Sequence, residues 1–172
     1  MMEDTLAMAL AILGSTPQRW IHLAETVPAG LFRRPAAPGE WSAHDCLQHI
    51  LDTERMVFPQ RVGYLLRGED FPAFDPAEDG TKPVASMSSV ALANDFDRLR
   101  AASLEILSHV QPHDLNRKAK HQELGMVSLG EMVNQWAGHD LMHTVQGERA
   151  ILQVFIEGCG PWKSYFSDHV AG

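Results

Sequence analysis

Cysteine and basic residues are scarce in this chain, and it contains no long hydrophobic run. Its two cysteines, Cys46 and Cys159, stand far apart, which excludes a disulfide framework and a cysteine-rich zinc site and predicts free thiols. No apolar run approaches the ~20 residues of a membrane span, and the start of the chain is acidic where a signal peptide is basic. We therefore expect a cytoplasmic protein without a membrane partner.

The charge balance is acidic. Fourteen basic and 22 acidic residues give a formal net charge of −8, and the short basic segment 117–120 is no substitute for the basic surface that nucleic acids and anionic membranes require. Neither nucleic acid nor an anionic membrane surface is therefore expected as a partner. With 172 residues, 45% of them hydrophobic, residues 1–172 are expected to form one domain with a sizeable core.

Helix-breaking residues divide the chain into helical segments without strand-like alternation between them. An apolar opening segment is predicted to end at Gly14, and the first long helix to begin at Pro17 and continue to Val27. Ser42 and Asp45 predict the start of a second helix that runs to about residue 67 with a kink at Pro59. A third helix is expected over 88–110.

A fourth helix follows a Ser128-to-Glu131 capping box. The four amphipathic helices predict an all-α, four-helix-bundle fold, in which sites are built from inward side chains of facing helices. Two long loops, 68–86 and 111–127, separate the helices, and loops of this length are often functional. The aromatic tail 158–166 is expected to pack as a cap over one end of the bundle.

Two pairs of histidines are four residues apart, but only one lies in an uninterrupted helical pattern. Pro112 interrupts the pair His109 and His113, whereas His139 and His143 share a helical stripe with Trp136. Imidazoles one turn apart on a helix face can bind one cation. The alternative is a pair of core histidines that are hydrogen-bonded to neighbouring groups, because nine histidines in 172 residues make such spacing common.

His49 is the candidate third ligand, since it lies in the second predicted helix among apolar residues. Asp45 and Asp52, one turn on either side, are placed to hold its second ring nitrogen as outer partners. The alternatives are a core or surface histidine for His49 and a solvated helix face for the two aspartates. Gln146, three residues after His143, is either a group that positions substrate or part of an ordinary helix surface.

Several of these segments together resemble the DinB/YfiT-like metalloenzyme superfamily, over residues 16 to 165. The segments are Pro38-Gly39-Glu40-Trp41-Ser42, His49-x-x-Asp52-x-Glu54, His139-x-x-x-His143-x-x-Gln146 and Gly160-Pro161-Trp162. The resemblance implies a four-helix bundle whose metal is held by His49, His139 and His143. It also implies a thiol S-transferase or isomerase that uses a low-molecular-weight thiol. His44-Asp45 stands where many relatives are expected to have a glutamate, so outer partners are not carried over there.

Three imidazoles on a divalent ion leave a coordination position open, which is typical of catalytic rather than structural zinc sites. Zinc or nickel is the expected metal, and iron, manganese and copper also suit nitrogen ligands. Such an ion activates water or a small thiol, which favours a transferase or hydrolase, with Gln146 or a nearby carboxylate positioning substrate. Three aromatic residues are candidates for the entrance: Phe71, Phe74 and Trp162.

Two other functions remain open. No carboxylate is fixed beside the site in the way that a HExxH motif fixes its glutamate, so a non-catalytic, stress-related metal-sensing module that acts as a homodimer is one alternative. The other is a bundle to which the metal adds only folding stability.

Overall fold

A computed structural model describes residues 2–75 and 87–171 of the chain. Six α-helices lie in the described ranges: α1 Met2–Thr26, α2 Ala29–Phe32, α3 Ala43–Met56, α4 Phe58–Arg67, α5 Ser89–Ser108 and α6 Leu129–Gly158. The predicted all-α four-helix bundle is confirmed: α1, α3 with its continuation α4, α5 and α6 are its four members. No helix in the described ranges is both long enough and apolar enough to span a membrane.

Helix α1 is continuous through Pro17, so the predicted break at Gly14 is wrong. An interior proline leaves the carbonyl four residues before it without its usual N–H donor. That carbonyl belongs to Leu13, and it accepts hydrogen bonds from Nη1 of Arg100 at 2.8 Å and from the hydroxyl of Thr16 at 3.3 Å. Donors from outside the helix backbone therefore replace the missing bond.

Both predicted capping boxes are present. The Ser42 hydroxyl accepts from the amide of Asp45 at the start of α3, and Ser128 pairs with Glu131 in the same way at the start of α6. The second predicted helix is divided at Val57, two residues before Pro59, where a bend relieves the clash of the proline ring with the preceding turn.

The connection between α5 and α6 contains strands that the sequence pattern did not predict. After a 3₁₀ turn, Pro112–Asn116, strands β1 (Lys118–His121) and β2 (Gly125–Ser128) pair antiparallel. Phe71 forms a parallel bridge with His121, which fixes the first part of the 68–86 loop against the hairpin. Residues 76–86 of that loop lie outside the described residues.

The core has two parts with a polar layer between them. One contains Trp136 and the hairpin side of the bundle, and the other contains Trp20 and α2. The guanidinium of Arg100 lies 4.7 Å from the ring centroid of Phe96 in one part and 5.4 Å from that of Trp136 in the other. Arg100 is therefore a buried cation between two apolar clusters.

The C-terminal tail is a 3₁₀ segment, Gly160–His169, that lies on the surface. Trp162 is 64% exposed and Tyr165 80% exposed, so the predicted aromatic cap is wrong. Polar contacts hold the tail: Arg149 and Gln153 on α6 donate hydrogen bonds to the carbonyl of His169. The tail is thus held by polar contacts to α6, while the side chains of Trp162 and Tyr165 lie in solvent.

Candidate metal centre

The structure brings His49, His139 and His143 together. His49 lies in the middle of α3, and His139 and His143 lie one turn apart on the facing helix α6. One ring nitrogen from each residue falls within 4.8 Å of the other two. No other cluster of three or more potential ligands occurs in the described ranges, and His109 and His113 are exposed side chains beside carboxylates.

The ring nitrogens are arranged to share a cation. Nε2 of His49 lies 3.0 Å from Nε2 of His139, a separation that accommodates at most one proton between the two lone pairs. Nδ1 of His143 lies 2.8 Å from Oε1 of Gln146. The amide oxygen accepts from Nδ1–H, which leaves Nε2 of His143 with its lone pair free.

The three imidazoles are neutral near pH 7. Burial, reinforced by the neighbouring His143, lowers the pKa of His49 to about 4. Burial and the two other rings lower the pKa of His139 to about 3, and burial also lowers the pKa of His143. Neutral imidazole is the form that binds metals, and three nitrogen donors suit zinc, nickel or iron. The donor set therefore fits the predicted divalent ion.

Aromatic rings flank the cluster on two sides. Trp41 stacks on His143 with the ring centroids 5.6 Å apart, and it also contacts His49 at 5.1 Å. Phe58 meets His139 edge to face at 5.1 Å and stacks on Trp136. These contacts restrict rotation of the imidazoles, so the nitrogens are held in position before any ligand binds.

An open cleft of about 280 Å³ leads to the three rings. Its described lining contains no carboxylate and no cysteine, and consists of the three histidines with Thr53, Val57, Phe58, Arg61, Phe74, Gln135 and Met142. Phe74, one of the candidates from the sequence, is part of this lining. Phe71 lines a neighbouring cavity instead, and Trp162 lines neither. The described lining therefore offers no thiol or carboxylate as a nucleophile, and its one hydroxyl, that of Thr53, donates to the carbonyl of Ile50 at 3.0 Å.

The predicted outer residues make other contacts. Asp45 accepts from the backbone N–H and the hydroxyl of Ser42 and so caps α3. Asp52 is buried, accepts from Nε2 of Gln48 at 3.1 Å and lies 3.9 Å from Arg55. Nδ1 of His139 is buried and has no hydrogen-bond partner among the described residues. A role for Asp52 at the site stays a prediction.

A buried ionic network below the histidines was missed from the sequence. Arg100 on α5 is 1% exposed and donates to both oxygens of Asp140 at 2.7 and 3.1 Å and to Glu54 at 2.7 Å. Thr16 donates to Asp140 at 2.6 Å, so the network joins all four helices of the bundle. Asp140 lies between His139 and His143 in the chain, and its charge raises the pKa of His143 against the larger effect of burial.

The missed residues had a signal in the sequence. Arg100 follows Phe96 by one turn and precedes Leu107 by two, so it occupies an inward position of the α5 stripe. Asp140 stands one turn after Trp136 on α6 in the same way. Charged residues at inward positions of an apolar stripe indicate buried charges that are paired. Arg100 and Asp140 both stand at such positions. Arg61 on α4 carries the same signal, since it stands one turn after Phe58 and one turn before Leu65.

Comparisons with known proteins bear on the fold and the family. A model of the DinB superfamily matches residues 12–146. Among solved structures, the chain is similar to YfiT from Bacillus subtilis, described as a probable metal-dependent hydrolase with an unusual four-helix bundle topology. The TM-score is 0.71 at 15% sequence identity, over 84% of this chain and 85% of that one. No curated protein matches the sequence.

Proposed function

The chain belongs to the DinB superfamily, and on this premise we propose that it is a metal-dependent enzyme whose ion is held by His49, His139 and His143. The reaction is hydrolysis, or transfer of a small thiol, on a small-molecule substrate. Zinc or nickel is the metal that this donor set suits best. We further propose that residues 1–172 act as one domain in the cytoplasm.

The convergence of three neutral imidazoles at an open cleft carries the proposal. A buried structural zinc site has four protein ligands, whereas three protein ligands with access to solvent are typical of catalytic sites. When bound, the ion acts as a Lewis acid that lowers the pKa of water or a thiol. The other contributions come from the protein.

The side chains around the site orient and cover the ring of His143 and line the cleft. Gln146 fixes the tautomer of His143 through its amide oxygen, and Trp41 covers the ring of the same histidine. Thr53 and Gln135 offer neutral polar groups in the lining of the cleft. In this proposal Gln146 positions His143, a ligand of the metal, and it does not have to contact the substrate.

The absence of a carboxylate and a thiol from the described cleft lining supports attack by water or by a free thiol rather than by a side chain. The description of YfiT as a probable metal-dependent hydrolase supports the hydrolytic arm. Family resemblance supports the thiol arm. Hydrolysis and thiol transfer would use the same metal centre. One experiment that measures turnover with and without an added thiol therefore distinguishes the two reactions.

The test loads the purified full chain with Zn²⁺ or Ni²⁺ and measures stoichiometry, then turnover of ester and amide substrates with and without added thiols. We expect one ion per chain and turnover that chelation abolishes. Trp41 provides a binding signal, because a paramagnetic ion such as Ni²⁺ at the histidines quenches a tryptophan ring that stacks on one of them.

His143→Ala is the decisive variant and His109→Ala its matched control, since His109 is an exposed histidine that is not part of the cleft lining. The first variant should lose the metal and the second should keep it. If His143→Ala binds the ion unchanged, or if the wild type binds none, the proposal is wrong. Turnover only with thiol assigns the transferase arm, and turnover with water alone the hydrolase arm.

A non-catalytic metal-sensing module that works as a homodimer is the second candidate. Leu141, Met142 and Val145 on α6 are 37%, 56% and 60% exposed beside the candidate site, and large exposed apolar side chains favour association. In this case, metal removal should change the sedimentation coefficient of the protein. A chelated enzyme should lose turnover and keep its oligomeric state.

A further inference from the structure

Two hydrogen-bond donors meet where α4 faces the β-hairpin. Nη2 of Arg61 lies 3.4 Å from Nε2 of His121. His121 is 6% exposed, and its ring packs edge to face on Phe71 at 5.4 Å. The two side chains come from distant parts of the chain, so the fold itself brings them together.

The tautomer of His121 follows from its contacts. Its Nδ1 accepts from the backbone amides of Glu123 and Leu124 at 3.1 and 3.3 Å, so Nδ1 carries the lone pair. In the neutral ring, Nε2 then carries the proton. Burial and the charge of Arg61 lower the pKa of His121 and keep the ring neutral. The N–H of Arg61 therefore points at another N–H, and no acceptor lies between them.

Arg61 has no anionic partner in the part of the chain that the structure describes. Its contacts there are His121 and the face of Phe71, whose centroid lies 5.7 Å from the guanidinium carbon. Burial lowers the pKa of Arg61. By contrast, Arg67, two turns later on the same helix, is exposed and pairs with Glu69 at 2.7 Å. Among the described residues, Arg61 is thus a partly desolvated cation without a counter-charge.

The location of Arg61 connects this pair to the metal centre. Arg61 lines the three-histidine cleft, and it also lines a neighbouring cavity of about 280 Å³ with Tyr64, Phe71 and Pro72. Its charge is also among the causes that lower the pKa of His139. A molecule that bound Arg61 would therefore extend from the aromatic cavity toward the histidines.

We propose that Arg61 and His121 form an oxyanion site that binds a carboxylate or phosphate group of the small-molecule substrate. One oxygen accepts from Nη2 of Arg61 and from Nε2–H of His121, which relieves the donor-donor contact and supplies the missing negative charge. Phe71 shields the group from water and strengthens the charge-assisted bonds. The term substrate rests on the proposed metal-dependent reaction, but anion binding by the pair does not.

The test measures binding of two probes, acetate and inorganic phosphate, to the metal-free full chain by NMR of the His121 ring nitrogens and the Arg61 side chain. We expect saturable shifts at both side chains with dissociation constants on the order of millimolar. The stronger probe identifies the group, carboxylate or phosphate. Arg61→Met should weaken binding roughly 10- to 100-fold, the range for loss of a charged hydrogen bond, and Arg67→Met should leave it unchanged.

Arg61→Lys is the second variant and guards against misfolding of the methionine variant. It keeps the charge but loses the planar fork, so it should bind more weakly than the wild type. The proposal is overturned if neither probe gives saturable shifts, or if Arg61→Met or Arg61→Lys binds as the wild type does. Zn²⁺ titration of the same variants separates this outcome from failure of the metal centre: metal binding with no anion binding overturns only the anion site, and the reverse result overturns only the metal centre.

Discussion

Oε1 of Gln146 lies 2.8 Å from Nδ1 of His143, one turn earlier on the same helix. The amide accepts the Nδ1 proton and thereby sets which nitrogen of the ring faces the cluster. Outer partners of metal-ligating histidines commonly fix the tautomer in this way.

Gln146→Leu removes this acceptor while keeping a similar side-chain volume. We expect the affinity for Zn²⁺ to fall about 10- to 100-fold, the usual cost of losing an outer partner. Competition with a chromogenic chelator measures the change. Gln146→Glu should retain the affinity or increase it because its carboxylate still accepts the proton. Equal affinities for the wild type and the leucine variant would show that the amide does not act through His143.

The metal-free protein should lose stability as the pH falls below about 6.5, the pKa of an unfolded histidine. In the folded chain the pKa is about 4 for His49 and about 3 for His139, so between these values and 6.5 the unfolded state binds more protons. Each such histidine lowers the unfolding free energy by about 1.4 kcal/mol per pH unit across that window. Urea denaturation at pH 7.5, 6 and 5 measures the slope.

The double variant His49→Gln with His139→Gln provides the control for this dependence. Neither glutamine titrates, so the variant should lose less stability between pH 7.5 and 5 than the wild type. Saturating Zn²⁺ should also make the unfolding free energy depend less on pH in the upper part of this pH range, because metal-bound nitrogens are unavailable to protons. A variant that follows the wild-type slope would contradict the assignment of the lowered pKa values to these two residues.

Arg100→Met should destabilise the bundle strongly. It leaves Glu54 and Asp140, which are 0% and 1% exposed at their side chains, buried without their cation, and removal of one partner from a buried ion pair costs about 3–5 kcal/mol. Chemical denaturation gives the difference. Arg98→Met is the matched control, since this arginine is 68% exposed and its loss should change stability by less than about 0.5 kcal/mol.

Gly147→Ala tests the close approach of α6 to α1 and α3. A Cβ at this position would lie 2.7 Å from Cη2 of Trp20 and 3.4 Å from Cα of Ala43, so the helices would have to separate at a cost of about 1–3 kcal/mol. Gly138→Ala on the same helix meets nothing within 4 Å. It should stabilise the protein by roughly 0.5–1 kcal/mol through helix propensity. Thermal unfolding of the two variants should therefore shift in opposite directions.

Local rules predicted the helices well where a single residue type decides the outcome. Ser42 and Ser128 mark the starts of α3 and α6 because a capping hydroxyl satisfies an amide that has no helical partner. Pro17 misled the prediction, because its effect depends on the carbonyl of Leu13 and on Arg100, which is 87 residues away in the chain. No local pattern contains that contact.

The candidate site, too, was predictable where a local pattern decides and not where a tertiary contact does. His139 and His143 were assigned to an inward helix face from their period with Trp136, and the structure brings them to His49. Arg61 and His121 were not singled out, since their contact depends on how the hairpin packs on α4. The strands Lys118–His121 and Gly125–Ser128 are four residues each, too short for alternation to separate them from a loop.

The buried network of Arg100, Glu54 and Asp140 has a further electrostatic consequence. Two carboxylates and one guanidinium leave one formal negative charge in the interior, directly below three neutral imidazoles that contribute no charge of their own. Solvent screens buried charges weakly, so these groups act on the rings before any ligand arrives. The carboxylate of Asp140 favours positive charge at His143, whereas the charges of Arg100 and Arg61 oppose it at His139, so the two ends of the cluster differ in their electrostatic environment.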